Sequence, residues 1–258
     1  MTALEKALYE LQCTERQSQC NSFMHRLDPR AKIIVTLFYI IVVLSFSLES
    51  LTGILICWIY PIIGSTLGGI SYSSVFRKSL IVLPFVAFIG IFNPIYNTVP
   101  ALYVGNIAIS RGWIEFMSII IRGLLSAQAA ILLIMTTGFY RVCRALGRLG
   151  VPSVFTTQLL LVYRYIYVLL DEAIDMERAR QSRGYGRKGY GLRMWGRFIG
   201  QLLLRTVERS ERVHRAMLSR GFDGRIRSLA ISTWCRRDTL FLLSCCAAFV
   251  VVRVCRIF

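Results

Sequence analysis

Groups suited to acid–base chemistry are scarce in this chain of 258 residues: two histidines, His25 and His214, and 14 carboxylates set against 31 lysines and arginines. Neither histidine has an evident nucleophile beside it, and in basic or polar surroundings both are expected at the surface. The chain also lacks a Gly-x-x-x-x-Gly-Lys phosphate loop, a His-Glu-x-x-His zinc helix and a Gly-x-Ser-x-Gly elbow, so nothing supports a catalytic role or a resident cofactor. The eight cysteines form no Cys-x-x-Cys pair and several lie in apolar runs, which makes them small buried hydrophobes. Cys13, Cys20 and His25 could meet at a metal only with a spacing that fits no zinc pattern, and no metal is expected. A cleavable signal peptide is not expected either, because the first thirty residues are polar and carry Glu5, Glu10 and Glu15.

Charge is thin overall, at 17% of residues, while apolar residues reach 55%, a balance too greasy for a soluble domain of this size. Yet the formal net charge is +17. The two facts agree because the cations are segregated: Arg141–Asp238 holds 20 of the 31. Lysine and arginine accumulate on the cytoplasmic side of membrane proteins. The expectation is therefore residues 1–140 as an N-terminal segment with transmembrane helices one to four, 141–238 as a basic cytoplasmic domain, and 239–258 as a last span.

Asp28-Pro29-Arg30 is a helix start, with Asp28 as N-cap and Pro29 at a position whose N–H has no partner to lose. Ile33–Leu48 follows as a first span with its N-terminus inside, and Leu51–Ile70 returns toward Arg77 and Lys78. Leu80–Phe92 is a third apolar run, kinked at Pro84. Turn formers between Asn93 and Ser110 flank short β-branched runs and predict an outer loop or small hairpin. Trp113–Phe139 is the longest run and leads to Arg141, Arg144 and Arg148; Glu115 and Arg122 near its outer end are expected to pair or to snorkel. Thr239–Val252 is the last. Five spans would place Arg253 and Arg256 outside, against the charge rule, and a re-entrant segment at Leu80–Pro94 is the alternative count.

Within the basic stretch one pattern occurs twice: Arg178–Tyr185 and Arg215–Phe222 both read Arg-Ala-x-x-Ser-Arg-Gly-aromatic. Each closes an amphipathic segment. The first shows Phe155, Leu159, Val162, Ile166, Leu169, Ala173 and Met176 in steps of four and three, interrupted on other faces by Arg164, Asp171, Glu172 and Asp175, which makes it a poor span. The second shows Leu192, Trp195, Ile199, Leu202, Thr206, Val213 and Ala216, with Gly196 and Gly200 one turn apart where another helix could come close. A cation in the last turn with glycine beyond it is an ordinary helix stop, and for either copy alone that explanation suffices. Recurrence of Ala, Ser and Arg at matching offsets exceeds what termination requires.

Three kinds of partner could meet this region. Nucleic acid would suit the charge, but apolar spans on both sides argue against it. Anionic lipid needs only scattered cations, not a motif in register. Protein docking uses what is repeated: a planar arginine fork for carboxylates and carbonyls, a small alanine one turn earlier, and a glycine that frees the tip. Two such tips suggest two grooves on a dimeric partner, such as a pair of ATPase subunits.

Further segments complete a resemblance that covers nearly the whole chain: Leu27-Asp28-Pro29-Arg30-x-Lys32, Thr136-Thr137-Gly138-Phe139, Leu149-Gly150-Val151-Pro152, and Tyr163-Arg164-Tyr165 with Asp171-Glu172. The chain resembles the transmembrane coupling (T) component of energy-coupling factor transporters. The Ala-x-x-x-Arg-Gly signature of that family falls on Ala179, Arg183 and Gly184 and again on Ala216, Arg220 and Gly221. The stretch from Ala216 to Gly224 is most similar to the CbiQ-like branch, which serves cobalt or nickel uptake. The resemblance implies an all-α integral membrane protein of about five transmembrane helices plus two long crossed amphipathic coupling helices. It implies ATPase docking through Ala179, Ser182, Arg183, Gly184, Ala216, Ser219, Arg220 and Gly221. The implied partners are two ABC-type ATPase subunits that bind ATP–Mg, a substrate-binding membrane S component and the lipid bilayer, without nucleic acid. The implied location is the cell membrane, multi-pass, with the N-terminus and the coupling domain cytoplasmic. The alternative is a membrane-anchored basic scaffold that binds anionic lipid or another complex without energy coupling.

Overall fold

A computed structural model describes residues 3–18, 22–46, 51–96, 100–104, 107–183, 191–224, 226 and 234–254. It divides into two compact units: Glu15–Val142 with Ser232–Phe258, and Met1–Thr14 with Cys143–Ile231. In chain order the elements are α1 (Ala3–Ser18), α2 (Phe23–Arg26), α3 (Pro29–Ser45), α4 (Leu51–Ile56), α5 (Ile59–Gly68), α6 (Tyr72–Ser79), α7 (Leu83–Gly90) and α8 (Phe92–Tyr96). They continue with β1 (Pro100–Val104), β2 (Ile107–Ser110), α9 (Arg111–Thr137), α10 (Phe139–Arg148), α11 (Ser153–Arg183), α12 (Leu192–Leu218) and α13 (Arg236–Val254).

In the first unit, α3 begins as its sequence dictates. Pro29 occupies the first turn and the Asp28 side chain accepts from the Arg30 amide at 2.9 Å. The run expected as one helix from Leu51 to Ile70 is instead broken at Cys57-Trp58 into α4 and α5. Pro61 has no N–H to give the carbonyl four residues earlier, that of Cys57. The Tyr39 hydroxyl donates to this carbonyl at 2.9 Å, so the break costs no unsatisfied group. A similar substitution explains the bend expected at Pro84. The Leu80 carbonyl, which Pro84 cannot bond, accepts from the Leu83 amide at 3.1 Å, and the helices on either side meet at 47°. The first of this bent pair starts at Tyr72, so Arg77 and Lys78 lie in its last turn and complement its C-terminal dipole.

β1 and β2 form an antiparallel hairpin, Val104 opposite Ile107 and Pro100 opposite Ser110, with an irregularity between Pro100 and Leu102. Among the described residues the fold is otherwise helical, and the hairpin falls where turn formers flank β-branched residues, as the sequence predicts.

α9 is the axis of the unit and packs on α3 through α8. Its buried face runs Glu115, Ser118, Arg122, Leu125, Ala129, Leu132 and Met135, in steps of three and four. Leu125 and Ala129 join Tyr39, Val42, Val43, Ile54 and Cys57 in the main core, against which Phe249 of α13 packs. Tyr39 stacks on Tyr60 at 4.4 Å, and Phe249 closes on both rings. α5 comes so near α9 that a Cβ on Gly64 would lie 2.5 Å from Leu132 Cδ2. Glu115 and Arg122 are each 7% exposed, and Glu115 pairs with Arg111 at 3.5 Å. His25, expected at the surface, is buried, its ring nitrogens engaged by Ser22 Oγ at 2.6 Å and the Gln17 carbonyl at 3.1 Å. Of the cysteines expected to be buried, Cys57 and Cys143 are, Cys13, Cys245 and Cys246 are half-buried, and Cys235 is exposed. Cys20 and Cys255 lie outside the described residues.

By length and composition two helices among the described residues are apolar enough to cross a membrane, α9 and α11, or three if the bent pair beginning at Tyr72 counts as one span. α11 is thus a better span candidate than its charges suggested, because Asp171, Glu172 and Asp175 all fall in its second half. Its most apolar 18 residues have mean hydropathy 1.4, against 2.0 in α9, and only 6% of them are buried, against 44%. α3, of 17 residues, is short for a span, and α13 carries Arg236, Arg237, Asp238 and Arg253.

Candidate functional site: the two arginine–glycine helix ends

The repeated motif sits where its spacing predicts, at the ends of α11 and α12. In both copies the serine does the same local job: Ser182 Oγ donates to the Arg178 carbonyl and Ser219 Oγ to the Arg215 carbonyl, each at 3.0 Å. This bond four residues back gives the repeated serine a role inside its own helix. After α12 the chain closes a Schellman turn. The Gly221 amide reaches the Leu218 carbonyl at 2.9 Å, and the Phe222 amide reaches that of Met217 at 3.1 Å. Gly221 stands at φ +75°, and a Cβ there would meet nothing within 4 Å, so backbone conformation alone selects glycine. Its counterpart Gly184, with Tyr185, lies outside the described residues.

The motif cations divide into two groups. Arg178 bonds Glu5 of α1 at 2.9 Å, Arg180 bonds the buried Glu177 at 2.9 Å, and Arg215 bonds Glu211 at 3.2 Å. Arg183 and Arg220, the arginines directly before each glycine, are exposed, and their side chains have no ion-pair or hydrogen-bond partner among the described residues. Ala179 and Ala216 are exposed on the same helix ends. Among the described residues each tip therefore offers one uncommitted guanidinium with a small residue one turn before it, while Arg178, Arg180 and Arg215 are occupied at home.

α11 and α12 meet without closing. Val162, Ile166 and Leu169 of the expected seam, with Leu161 and Tyr165, face Thr206, Val213 and Met217 of α12 across a groove of about 580 Å³. Phe222 lines its end, where the Gly224 carbonyl accepts from Thr157 Oγ1 at 3.2 Å. Phe155 remains 64% exposed, and α12 has no buried residue. A Cβ on Gly196 or Gly200 would meet nothing within 4 Å, so the close helix contact expected there is not made among the described residues. Glu172, which the sequence presents as an idle surface carboxylate, pairs with Arg205 and ties α11 to α12. Its role could not be read from periodicity, because the partner lies 33 positions away.

Helices apolar enough to cross a membrane, in one chain with a basic unit that carries exposed arginines at two matched helix ends, define a helical membrane protein. Residues 20–229 match the sequence profile of the family described as CbiQ, cobalt transport protein. Over 250 residues the chain is 25% identical to the energy-coupling factor transporter transmembrane protein EcfT of Clostridium kluyveri, covering 90% of this chain and 91% of that one. It is 35% identical over 136 residues to an uncharacterized protein of Methanocaldococcus jannaschii, covering 52% and 46%. It is 32% identical over 93 residues to the cobalt transport protein CbiQ of Salmonella typhimurium, covering 36% and 41%. The chain thus spans under half the length of these last two relatives. The chain belongs to the CbiQ/EcfT family, the non-catalytic transmembrane components of energy-coupling factor transporters.

Proposed function

We propose that this chain couples ATP binding and hydrolysis in two cytoplasmic ABC-type ATPase subunits to uptake by a separate substrate-binding membrane subunit. α11 and α12 are the coupling helices, crossing one another, and Arg183 and Arg220 each enter a groove on one ATPase subunit. Ala179, Ser182 and Gly184 shape the first contact, and Ala216, Ser219 and Gly221 the second. ATP–Mg is held by the partners and not by this chain. When ATP draws the ATPase subunits together, the two helix ends follow, the displacement passes along stiff helices, and hydrolysis resets it. The chain lies in the cell membrane as a multi-pass protein of about five spans. Its N-terminus and basic domain are cytoplasmic, with α3, α4–α5, the bent pair, α9 and α13 crossing. The cargo class is a transition metal such as cobalt, or a vitamin. One observation carries this reading: two guanidinium groups in equivalent positions are exposed and without a partner among the described residues, while Arg178, Arg180 and Arg215 of the same motifs are paired.

The test is co-purification of the ATPase subunits with the full chain from native membranes. Loss of the complex when Arg183 and Arg220 are both replaced by alanine supports docking. A complex that survives the double change, together with unaltered binding to anionic vesicles, supports a lipid-binding scaffold.

A further inference from the structure

Two of the motifs that carry the family resemblance have no part in docking, Leu27-Asp28-Pro29-Arg30-x-Lys32 and Thr136-Thr137-Gly138-Phe139. In the unit Glu15–Val142 with Ser232–Phe258 they meet. Lys32, one turn into α3 and 4% exposed, donates from Nζ to the Thr136 carbonyl at 3.3 Å and to Thr137 Oγ1 at 3.4 Å, at the C-terminal end of α9. Such an end gathers unsatisfied carbonyls and partial negative charge, which suits a buried ammonium. Two buried carboxylates, Asp28 and Asp238, stand at the start of the same helix, α3.

Asp238 serves two helices at once. Its Oδ2 accepts from the Cys235 amide at the start of α13 and its Oδ1 from the Asp28 amide at the start of α3, both at 2.8 Å. Arg141 donates to the Ser18 carbonyl at the end of α1. Helix ends of opposite dipole sense are thus matched to side chains of complementary charge: carboxylates at the starts of α3 and α13, cations at the ends of α9 and α1.

The end of α9 is also where the chain departs for the basic segment. Only Gly138 separates α9 from α10. It stands at φ +78°, and a Cβ on it would come within 2.8 Å of Ser18 Oγ. Its amide bonds the Ile134 carbonyl at 2.7 Å and its carbonyl accepts from the Val142 amide at 3.1 Å, so both helices are hydrogen-bonded through this one residue. A one-residue joint carries displacement faithfully only if the helix on one side of it is held.

We propose that Lys32 is a positioning residue: by gripping Thr136 and Thr137, with Asp238 fixing α3 and α13 together behind it, it anchors the end of α9 at Gly138. Any pull arriving along α10 is then delivered to the packed helices and not lost in fraying of α9. This rests on the coupling reading, since it names the point where such a pull enters the membrane unit.

The test is hydrogen exchange on the full chain in its native complex, comparing parent, Lys32→Met, Lys32→Arg and Thr137→Val. Lys32→Met keeps the stem and removes the donor, so amides from Ile134 to Val142 should exchange about tenfold faster or more while those of α5 hold their rates. Lys32→Arg should restore protection, and Thr137→Val, which buries no new charge, should loosen the same amides by a smaller factor. Unchanged exchange at Ile134–Val142 in Lys32→Met overturns the proposal. So does equal loosening in Lys32→Arg, which would mean that packing and not the donor holds α9. If Lys32→Met does not fold, Thr137→Val decides: protection equal to the parent's overturns the anchor. Failure of the coupling reading is seen separately, as ATPase co-purification with the parent chain that does not depend on Arg183 and Arg220. Lys32→Met should leave that co-purification intact.

Discussion

At the residue scale, the sharpest distinction is between spent and unspent cations. Arg178, Arg180 and Arg215 already hold carboxylates, so replacing one disturbs its own helix end, whereas Arg183→Ala or Arg220→Ala removes only what faces outward. Each of the latter should leave the chain folded and inserted and weaken ATPase association by at least about tenfold, measured by pull-down at graded ATPase concentration. Lysine should rescue neither, because an ammonium lacks the planar fork. His25 gives a pH signature of a different kind. Burial lowers its pKa below the ordinary 6.5, the charges of Lys32 and Arg141 add to this, and bonds to the Gln17 and Met135 carbonyls oppose it. The folded state thus favours the neutral ring, so its contribution is full above pH 6.5 and is lost as pH falls through the lowered value. The thermal midpoint of the parent should therefore fall more steeply than that of His25→Gln as pH drops below 6.5; parallel curves would show that His25 is protonated alike in both states. The sequence placed His25 at the surface because its neighbours are polar; what buries it is packing by residues distant in the chain, which local composition does not encode.

At the scale of elements, helix starts and stops were legible wherever one residue type decides them. Asp28-Pro29 starts α3, and Gly221 closes the turn after α12. Breaks inside apolar runs were harder to read. Leu51–Ile70 looks continuous in hydropathy, and its interruption at Cys57 is met from two sides, by the Tyr60 amide at 3.3 Å and by the Tyr39 hydroxyl of another helix at 2.9 Å. Tyr39→Phe leaves the Cys57 carbonyl only the longer bond from the Tyr60 amide and should cost about 0.5–1.5 kcal/mol, read as a lower unfolding midpoint in detergent. The seam on α11 was legible as a stripe, but a stripe does not say what covers it. Ile166 is 38% exposed on the groove wall, so Ile166→Glu should scarcely alter the stability of the isolated chain and yet impair assembly, since a partner seated there would bury an unpaired carboxylate. Asp171→Lys, on an exposed face of the same helix, is the control; equal loss of assembly from both changes would show that the groove stays open in the complex.

At the scale of the whole molecule, the two tips matter as a pair. They belong to one chain, so docking of one raises the effective concentration of the other near its groove, and affinity gained this way exceeds that of either contact alone. A single arginine mutant should therefore retain part of the ATPase complex, and the double mutant nearly none. Transport is the harsher measure. A chain held by one tip follows one ATPase subunit only, and the approach of the two subunits is then no longer converted into a displacement between α11 and α12. Arg183→Ala and Arg220→Ala should each reduce substrate uptake by a much larger factor than they reduce bound ATPase, both quantities being measured on the same membranes. The two explanations of tip function separate on that ratio. If the tips only tether, uptake falls in proportion to the ATPase that remains bound. If they transmit, uptake per bound ATPase collapses while the complex is still partly present.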